Sequence, residues 1–335
     1  MLRLGFLGVD LFFVISGFLI VTLLLREKEA IGGISLSGFY ARRALRIFPI
    51  YYGLLGALVA AYFLFKPADP DAKLLFGLLP VYLFYLSNWS FAQATNLGIT
   101  WSLATEEQFY LVWPLIEKLK SVKVIWALLA LAIFVNQLLN FGWFDPFFDR
   151  LYGVEHVSLP ILEATFTPIL LGVALAHLLH QQRTFVLMRV LVGAPAMPWA
   201  VLALLIGVMA IAPSDISGWP RLMIQLLMML WIASLTIRED SALHPVLDSR
   251  PFVFIGSISY GIYLYHLWVF HVIGALLRKA GIAFPGDLFI IGSPPTIFVA
   301  YLSFVLFESW FLRQKGRFST RPVGVAVTAK ATGNG

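Results

Sequence analysis

The chain is a succession of long apolar segments separated by short polar loops. Most segments reach the length of about 20 residues that an α-helix needs to cross the hydrocarbon core of a bilayer. They do not alternate at every second residue, as membrane β-barrel strands do. The pattern therefore predicts an all-α, polytopic transmembrane helix bundle of about nine to ten transmembrane helices. The segments are 5–25, 45–65, 74–90, 101–117, 124–141, 160–180, 190–212, 220–237, 252–277 and 287–310.

Composition supports a membrane protein. Of the 335 residues, 60% are hydrophobic and 13% charged, whereas soluble domains carry roughly 25% charged residues. A mean hydropathy of +0.85 describes a chain that lipid can solvate and water cannot. The chain contains no cysteine, which excludes disulfides, Cys-ligated metal and a thiol nucleophile. We expect no metal site and no tightly bound cofactor.

The basic residues indicate the orientation in the membrane. The net charge is +6, and its Lys and Arg residues lie in short loops, as the positive-inside rule requires and unlike a nucleic-acid-binding surface. Segments 74–90 and 101–117 fit a membrane-spanning helix least well. Most basic loops fall on the cytoplasmic side only if these two segments together cross the membrane once. We therefore expect nine full crossings, one partial helix lining a cavity near 101–110, and a cytoplasmic C-terminus. The basic residues that place the loop between the first two segments on the cytoplasmic side are Arg26, Lys28, Arg42, Arg43 and Arg46.

Asp10 is the first ionisable residue inside an apolar segment. An ion at the bilayer centre costs about 2.5–3.5 kcal/mol on insertion scales, so such residues are candidates for function. Asp10 shares a helix face with Phe13 and Gly17, which suits a carboxylate that orients a histidine or binds a polar substrate. The alternative is an interfacial anion beside a small-residue packing patch.

Arg42, Arg43 and Arg46 form a basic face within one helical turn at the start of the second segment. Guanidinium groups bind phosphate oxygens through two parallel hydrogen bonds. A basic face at the cytoplasmic surface therefore suits the phosphates of coenzyme A. The alternative is a topology anchor that contacts lipid headgroups.

The sequence TWSLATEEQFY places Ser102 and Glu106 on one helical face, with Trp101 beside them. The adjacent carboxylates of Glu106 and Glu107 can share a proton in an apolar setting, which is useful for proton transfer. The alternative is a capped helix N-terminus with acidic residues in its first turn.

His266 lies near the middle of its apolar segment and shares a face with Ser259 and Tyr263. Because imidazole titrates near neutrality, His266 is a candidate general base. The alternative is a histidine bonded to a neighbouring helix within an aromatic packing seam.

Taken in order, several segments resemble the membrane acyltransferase 3 family. The resemblance is dense over 5–117 and looser over 252–313. It implies an inner (plasma) membrane enzyme that moves an acyl group, most often acetyl, from acyl-CoA on the cytoplasmic side to a hydroxyl of a sugar, lipopolysaccharide or exopolysaccharide. The segments are GFLGVDLFFVISGFLI, ISLSGFYARRALRIFPIYY, LSNW, TWSLATEEQFYLVWPLI, SISYGIYLYH and FESWFLR.

The resemblance also implies roles along the chain. Residues 1–312 would form the acyltransferase domain and 313–335 a basic, disordered cytoplasmic tail. Acetyl-CoA would be a donor substrate held by the arginine turn, and the partners would be the bilayer and a glycan, with no nucleic acid. On this basis the expected donor contacts are Arg42, Arg43 and Arg46, the substrate contacts Trp101, Ser102 and Tyr263, and the catalytic groups His266, Asp10, Glu106 and Glu107.

Family members carry an additional first helix with an arginine and a histidine proposed to be catalytic. The printed sequence starts after that point, so we expect this chain to lack one family helix, and Asp10 to face the position of that histidine. Two alternatives stay open. One is a transporter or flippase of a lipid-linked glycan, which ionisable groups at mid-membrane allow but the lack of an evident inverted repeat disfavours. The other is an inactive fragment of the acyltransferase.

Overall fold

A computed structural model describes residues 7–153, 166–213, 216–238, 240–241, 243–282 and 286–318. Within these residues the chain forms fifteen α-helices and no strand. The predicted all-α class is confirmed. Residues 1–6 and most of the predicted tail, 319–335, lie outside the described residues.

The helices follow one another through short connections. Short 3₁₀ turns lie between α4 and α5 and after α15, and one π-helical turn, Phe304–Glu308, joins α14 to α15. In chain order the helices are α1 (Leu7–Ile31), α2 (Leu36–Phe65), α3 (Pro70–Gly77), α4 (Leu79–Leu83), α5 (Thr100–Leu119), α6 (Val122–Asn140), α7 (Asp145–Tyr152), α8 (Thr167–His180), α9 (Gln182–Val192), α10 (Met197–Ile211), α11 (Gly218–Ile237), α12 (His244–Leu247), α13 (Arg250–Lys279), α14 (Asp287–Ser303) and α15 (Ser309–Gln314).

Six helical stretches of the described chain are long and apolar enough to cross a membrane: α1, α2, α6, α11, α13 and the continuous stretch Leu288–Phe318. Helices α9 and α10, bent by 70° at a short break, add a seventh if they form one span. The chain is therefore a multi-pass membrane protein. The predicted nine crossings would also require α5, which carries three glutamates, and α8, which has 14 residues.

The apolar segment 74–90 does not form one continuous helix. Helix α3 ends at Gly77, α4 begins at once with Pro80 in its first turn and ends at Leu83, and 3₁₀ turns carry the chain to α5. Glycine and proline interrupt helices because one is conformationally free and the other lacks a donor. The segment therefore contains two short helices, of eight and five residues, instead of one long helix. Its irregular loop packs against α2 and α5.

Helices α1 and α8 approach closely at two glycines. A Cβ atom on Gly17 would collide with the carbonyl oxygen of Ile169, and one on Gly172 would collide with the carbonyl oxygen of Val14. Small residues at such crossings let helix backbones pack against each other in lipid, where the hydrophobic effect between helices is absent. The crossing fixes α1 and, with it, Ser16.

Helix α5 lies in the hydrophobic core shared by α1, α2, α6 and α8. Its buried face carries apolar Leu103 and Trp113, but also polar Ser102, Glu106 and Tyr110. Buried polar groups in native proteins are almost always hydrogen-bonded. The partners of these side chains define the candidate site.

Candidate functional site

Glu106 is the centre of a buried polar network. Its side chain is 3% exposed, and its Oε1 accepts hydrogen bonds from the hydroxyls of Ser16 and Tyr110. Nη2 of Arg43 lies 4.0 Å from the same oxygen, and the Arg43 guanidinium carbon lies 3.6 Å from the centre of the Tyr110 ring. The carboxylate is thus neutralised and fixed by groups from α1, α2 and α5.

Local sequence explains how this network forms. Glu106 and Tyr110 are four residues apart on α5, so their side chains stack on one face. Ser16 precedes Gly17, the residue at which α1 and α8 cross. Arg43 lies two turns into α2, whose N-terminus is capped by Ser35 through a hydrogen bond from the Gly38 amide.

Glu107 points to a different environment from Glu106. It is half-buried and makes no hydrogen bond or ion pair within the described part of the chain. It lies within electrostatic range of Arg43, Tyr85 and Tyr260. Two adjacent carboxylates therefore have different surroundings: Glu106 is held by three partners, and Glu107 is free to bind a proton or a ligand.

The three arginines of the basic turn separate in the structure. Only Arg43 reaches Glu106. Arg42 bonds to Glu27 at 3.2 Å and to the carbonyl oxygen of Phe318 at 2.5 Å, which ties the start of α2 to the final 3₁₀ turn. Arg46 is exposed and interacts electrostatically with Glu308 and Lys315.

Ser102 and Tyr263 connect α5 with α13, whereas Trp101 packs against α1. The Tyr263 hydroxyl lies 2.5 Å from the Ser102 hydroxyl and donates to the carbonyl oxygen of Ile99 at 3.3 Å. The Trp101 ring contacts Phe13 edge to face, with centroids 6.4 Å apart. Two predicted substrate contacts are therefore brought together one helical turn before Glu106.

His266 stands apart from the carboxylates. Its Nδ1 bonds to the Tyr263 carbonyl oxygen at 2.6 Å, and its ring packs against Phe270. A carbonyl oxygen only accepts, so Nδ1 carries the proton and Nε2 is left as an acceptor. In the described residues His266 has no contact with Asp10 or Glu106.

Asp10 lies in a separate polar cluster between α1 and α11. It is 2% exposed. Its carboxylate is 3.4 Å from two nitrogens of Arg221 and accepts a hydrogen bond from Gln225 at 3.0 Å. A buried carboxylate needs this pairing, because removal from water disfavours the charge.

Several polar groups near the site were not singled out from the sequence. Glu308 is buried in the π-helical turn and accepts a hydrogen bond from Ser303 at 3.0 Å. The hydroxyls of Tyr85 and Tyr260 are buried and have no hydrogen-bond partner in the part of the chain that the structure describes. The adjacent glutamates on α5 were the one signal that located this region. Among the described residues, no group of three or more His, Asp or Glu side chains could hold a metal.

Glu117 and His177 form a second buried pair, toward the end of α5. Their Oε1 and Nε2 atoms are 2.8 Å apart, and the indole of Trp113 donates to the same oxygen at 3.1 Å. His177 is 1% exposed. The pair joins α5 to α8 in the core.

Comparison with known proteins adds an independent finding. The model of the acyltransferase domain family Acyl_transf_3 matches residues 1–313. A Staphylococcus aureus (strain COL) protein provisionally named an O-acetyltransferase is 29% identical over 342 residues, which cover 92% of this chain and 53% of that protein. The peptidoglycan O-acetyltransferase OatA of Listeria monocytogenes is 31% identical, covering 78% of this chain and 44% of OatA. The chain spans about half the length of the curated relatives it matches. No solved structure matches it.

Proposed function

The chain belongs to the Acyl_transf_3 family of acyltransferase domains, and from that premise we propose that it moves an acyl group, in the first instance acetyl, onto a hydroxyl of a polysaccharide. The observation that carries this proposal is the pair of unlike glutamates beside Arg43 inside the helix bundle. Glu106 is fixed by hydrogen bonds, and Glu107 is left free. Adjacent groups held in different surroundings can take different roles in proton transfer.

Peptidoglycan is the first acceptor to test. The relative in Listeria monocytogenes carries the name peptidoglycan O-acetyltransferase, and the Bacillus subtilis relative YrhL is provisionally named for the same activity. Both cover 78% of this chain. The acceptor group is a sugar hydroxyl, which reacts only after losing its proton.

Acyl-CoA is the donor that the basic end of the bundle fits. Arg46 is exposed, and Lys315 lies within electrostatic range of both Arg46 and Arg43. Phosphate groups bind where arginine and lysine gather without equal negative charge. Arg46 and Lys315 would hold the phosphates, Arg42 would fix the start of α2, and Arg43 would face the reacting thioester.

The reaction follows from this arrangement. Glu107 accepts the proton of the acceptor hydroxyl, and the oxygen attacks the carbonyl carbon of the thioester. The carbon–sulfur bond breaks, and the departing thiolate takes the proton from Glu107. General-base help of this kind contributes about 10²–10⁴-fold to the rate. His266, with a free Nε2, is the second candidate for the base.

We propose that the donor site faces the cytoplasm. The bond from Arg42 to Phe318 puts the start of α2 and the final turn at one end of the bundle. Lys28 lies at the same end, where it donates to the Glu117 carbonyl oxygen. Basic loops favour the cytoplasmic side, so we place the C-terminal turn inside an inner (plasma) membrane.

The test is acyl transfer by the full chain in lipid nanodiscs, with labelled acetyl-CoA and peptidoglycan fragments. We expect a base-labile ester on the glycan and one free coenzyme A for each ester. Intact thioester and unmodified glycan, with other sugar polymers also unmodified, would contradict the proposal. Movement of a lipid-linked glycan across proteoliposomes without thioester consumption would support the transporter instead.

A further inference from the structure

Three hydrogen-bond donors near Glu107 are buried, and no other described residue provides an acceptor for them. They are the hydroxyls of Tyr85 and Tyr260 and Nε of Arg43. A buried polar group that lacks a partner disfavours the folded state, so it is uncommon in native proteins. Three such groups, on α2, α13 and the loop before α5, indicate that a ligand atom completes their hydrogen bonds.

Tyr85 is held in an unfavourable backbone conformation. Its φ is +54°, and no other non-glycine residue of the described chain has a positive φ. Its carbonyl oxygen accepts from Nε2 of Gln108 at 2.9 Å, and its ring stacks on Tyr51 with centroids 4.4 Å apart. Strained residues persist where the surroundings over-determine them, often at functional sites.

Gln108 connects this strained residue to the catalytic region. It follows Glu107 directly on α5, and it exchanges two hydrogen bonds with Asn88, at 3.0 and 2.9 Å. Glu107 lies within electrostatic range of both tyrosine hydroxyls and of Arg43. The three unpartnered donors therefore share one neighbour, the carboxylate assigned above to proton transfer.

We propose that the hydroxyls of Tyr85 and Tyr260, together with Nε of Arg43, bind the carbonyl oxygen of the acyl thioester and stabilise the oxyanion. The inference rests on the proposed function. When the acceptor oxygen adds to the carbonyl carbon, the carbonyl π electrons move onto this oxygen. They return as the carbon–sulfur bond breaks, so the donors change no covalent bond.

An oxyanion fits these donors better than a sugar hydroxyl does. Arg43 Nε only donates and carries positive charge, and both phenols can donate. A sugar hydroxyl needs an acceptor for its own proton, whereas an oxyanion needs only donors. Preformed donors at a site of developing charge give one of the largest contributions to catalysis.

The experiment compares Tyr85→Phe and Tyr260→Phe with the unaltered full chain in nanodiscs. Kinetic constants for acetyl-CoA and the glycan, and the thermal unfolding midpoint, are measured for each. Because each phenol lacks a partner in the unliganded protein, its removal should leave the midpoint unchanged or raise it. We expect kcat to fall about 10²-fold for each variant, with KM for acetyl-CoA little changed.

Tyr40→Phe is the matched control, because the Tyr40 hydroxyl already donates to the Leu111 carbonyl oxygen at 2.8 Å. It should lower the midpoint and leave kcat unchanged. A kcat within about threefold of wild type in both site variants would overturn the inference. So would a rise in KM for the glycan alone, or parallel loss of kcat and stability. If the unaltered chain transfers no acyl group, the proposed function itself fails, and the inference with it.

Discussion

Arg43 lies over the ring of Tyr110, with its guanidinium carbon 3.6 Å from the ring centre. Both side chains also reach the same oxygen of Glu106. A flat cation on an aromatic face is stabilised by the ring quadrupole, most strongly where water is excluded. The contact binds the start of α2 to the buried face of α5. It places the positive charge beside Glu106 in the core.

Arg43→Lys should therefore lose most of the activity. Lysine keeps the charge but cannot stack as a plane or present a fork of donors. We expect kcat/KM for acyl transfer to fall at least about tenfold, with a larger loss in Arg43→Gln. Arg183→Lys, at an exposed position on α9, is the control and should be neutral. Equal activity of Arg43→Lys and wild type would exclude a role for the planar group.

Substitution of Glu106 should mainly lower stability, whereas substitution of Glu107 should mainly lower activity. Glu106→Gln removes the charge that Arg43 faces and weakens the bonds from Ser16 and Tyr110, so unfolding should become easier by about 1–3 kcal/mol. Glu107→Gln breaks no hydrogen bond, so stability should hold while kcat falls by about 10²-fold or more. Thermal unfolding and acyl-transfer rates, measured on the same preparations, decide this. A stable, fully active Glu107→Gln protein would remove Glu107 as the base.

Helical periodicity and segment length predicted much of the fold and the centre of the site. Ser102 and Glu106 were placed on one face of α5, and both are buried there. The fold class was predictable because apolar segments of bilayer length admit few structures other than helices. Of the three arginines in the predicted basic turn, Arg43 lies 4.0 Å from Glu106.

Long-range partners were not predictable in the same way. The sequence offers no signal that Asp10 pairs with Arg221, because the two helices are distant along the chain. Tyr85 adopts a left-handed conformation against its own preference, since tertiary contacts with Gln108 and Tyr51 hold it there. His177 lies near the end of its helix, and nothing in the sequence indicates that it pairs with Glu117 in the core.

Gly17→Ala should weaken the packing of α1 against α8. The added methyl group would meet the Ile169 carbonyl oxygen, and overpacking of this kind typically costs about 1–3 kcal/mol. Because Ser16 is the neighbouring residue, the shift should also disturb Glu106 and lower activity. Gly56→Ala is the control: nothing lies within 4 Å of its added Cβ, so helix propensity should stabilise it by up to about 1 kcal/mol. The midpoints of thermal unfolding compare the two.

His177→Leu should destabilise the bundle more than any substitution at an exposed position. It leaves the Glu117 carboxylate buried without its partner at 2.8 Å, and breaking a buried pair costs about 3–5 kcal/mol. The double variant His177→Leu/Glu117→Leu should recover much of that loss, because no unpaired charge remains. A double-mutant cycle on unfolding free energies measures the coupling, and additive effects would show that the two side chains do not interact.

His266→Gln tests the second candidate for the base. The bond from Nδ1 to the Tyr263 carbonyl oxygen leaves Nε2 able to accept a proton, so the tautomer alone does not exclude the histidine. Position argues against it, since among the described residues its polar contacts run to the backbone of its own helix and to neither carboxylate. If Glu107 takes the proton, His266→Gln should keep kcat within about tenfold of wild type.

If kcat falls as far in His266→Gln as in Glu107→Gln, His266 is the general base instead of Glu107. The pH dependence of kcat distinguishes the two further, because removing the true base abolishes the rise in rate with pH that its deprotonation produces. Tyr263→Phe is the accompanying variant. It removes the hydroxyl that contacts Ser102 at 2.5 Å but keeps the carbonyl that orients His266. It should therefore raise KM for the acceptor without changing the pH profile.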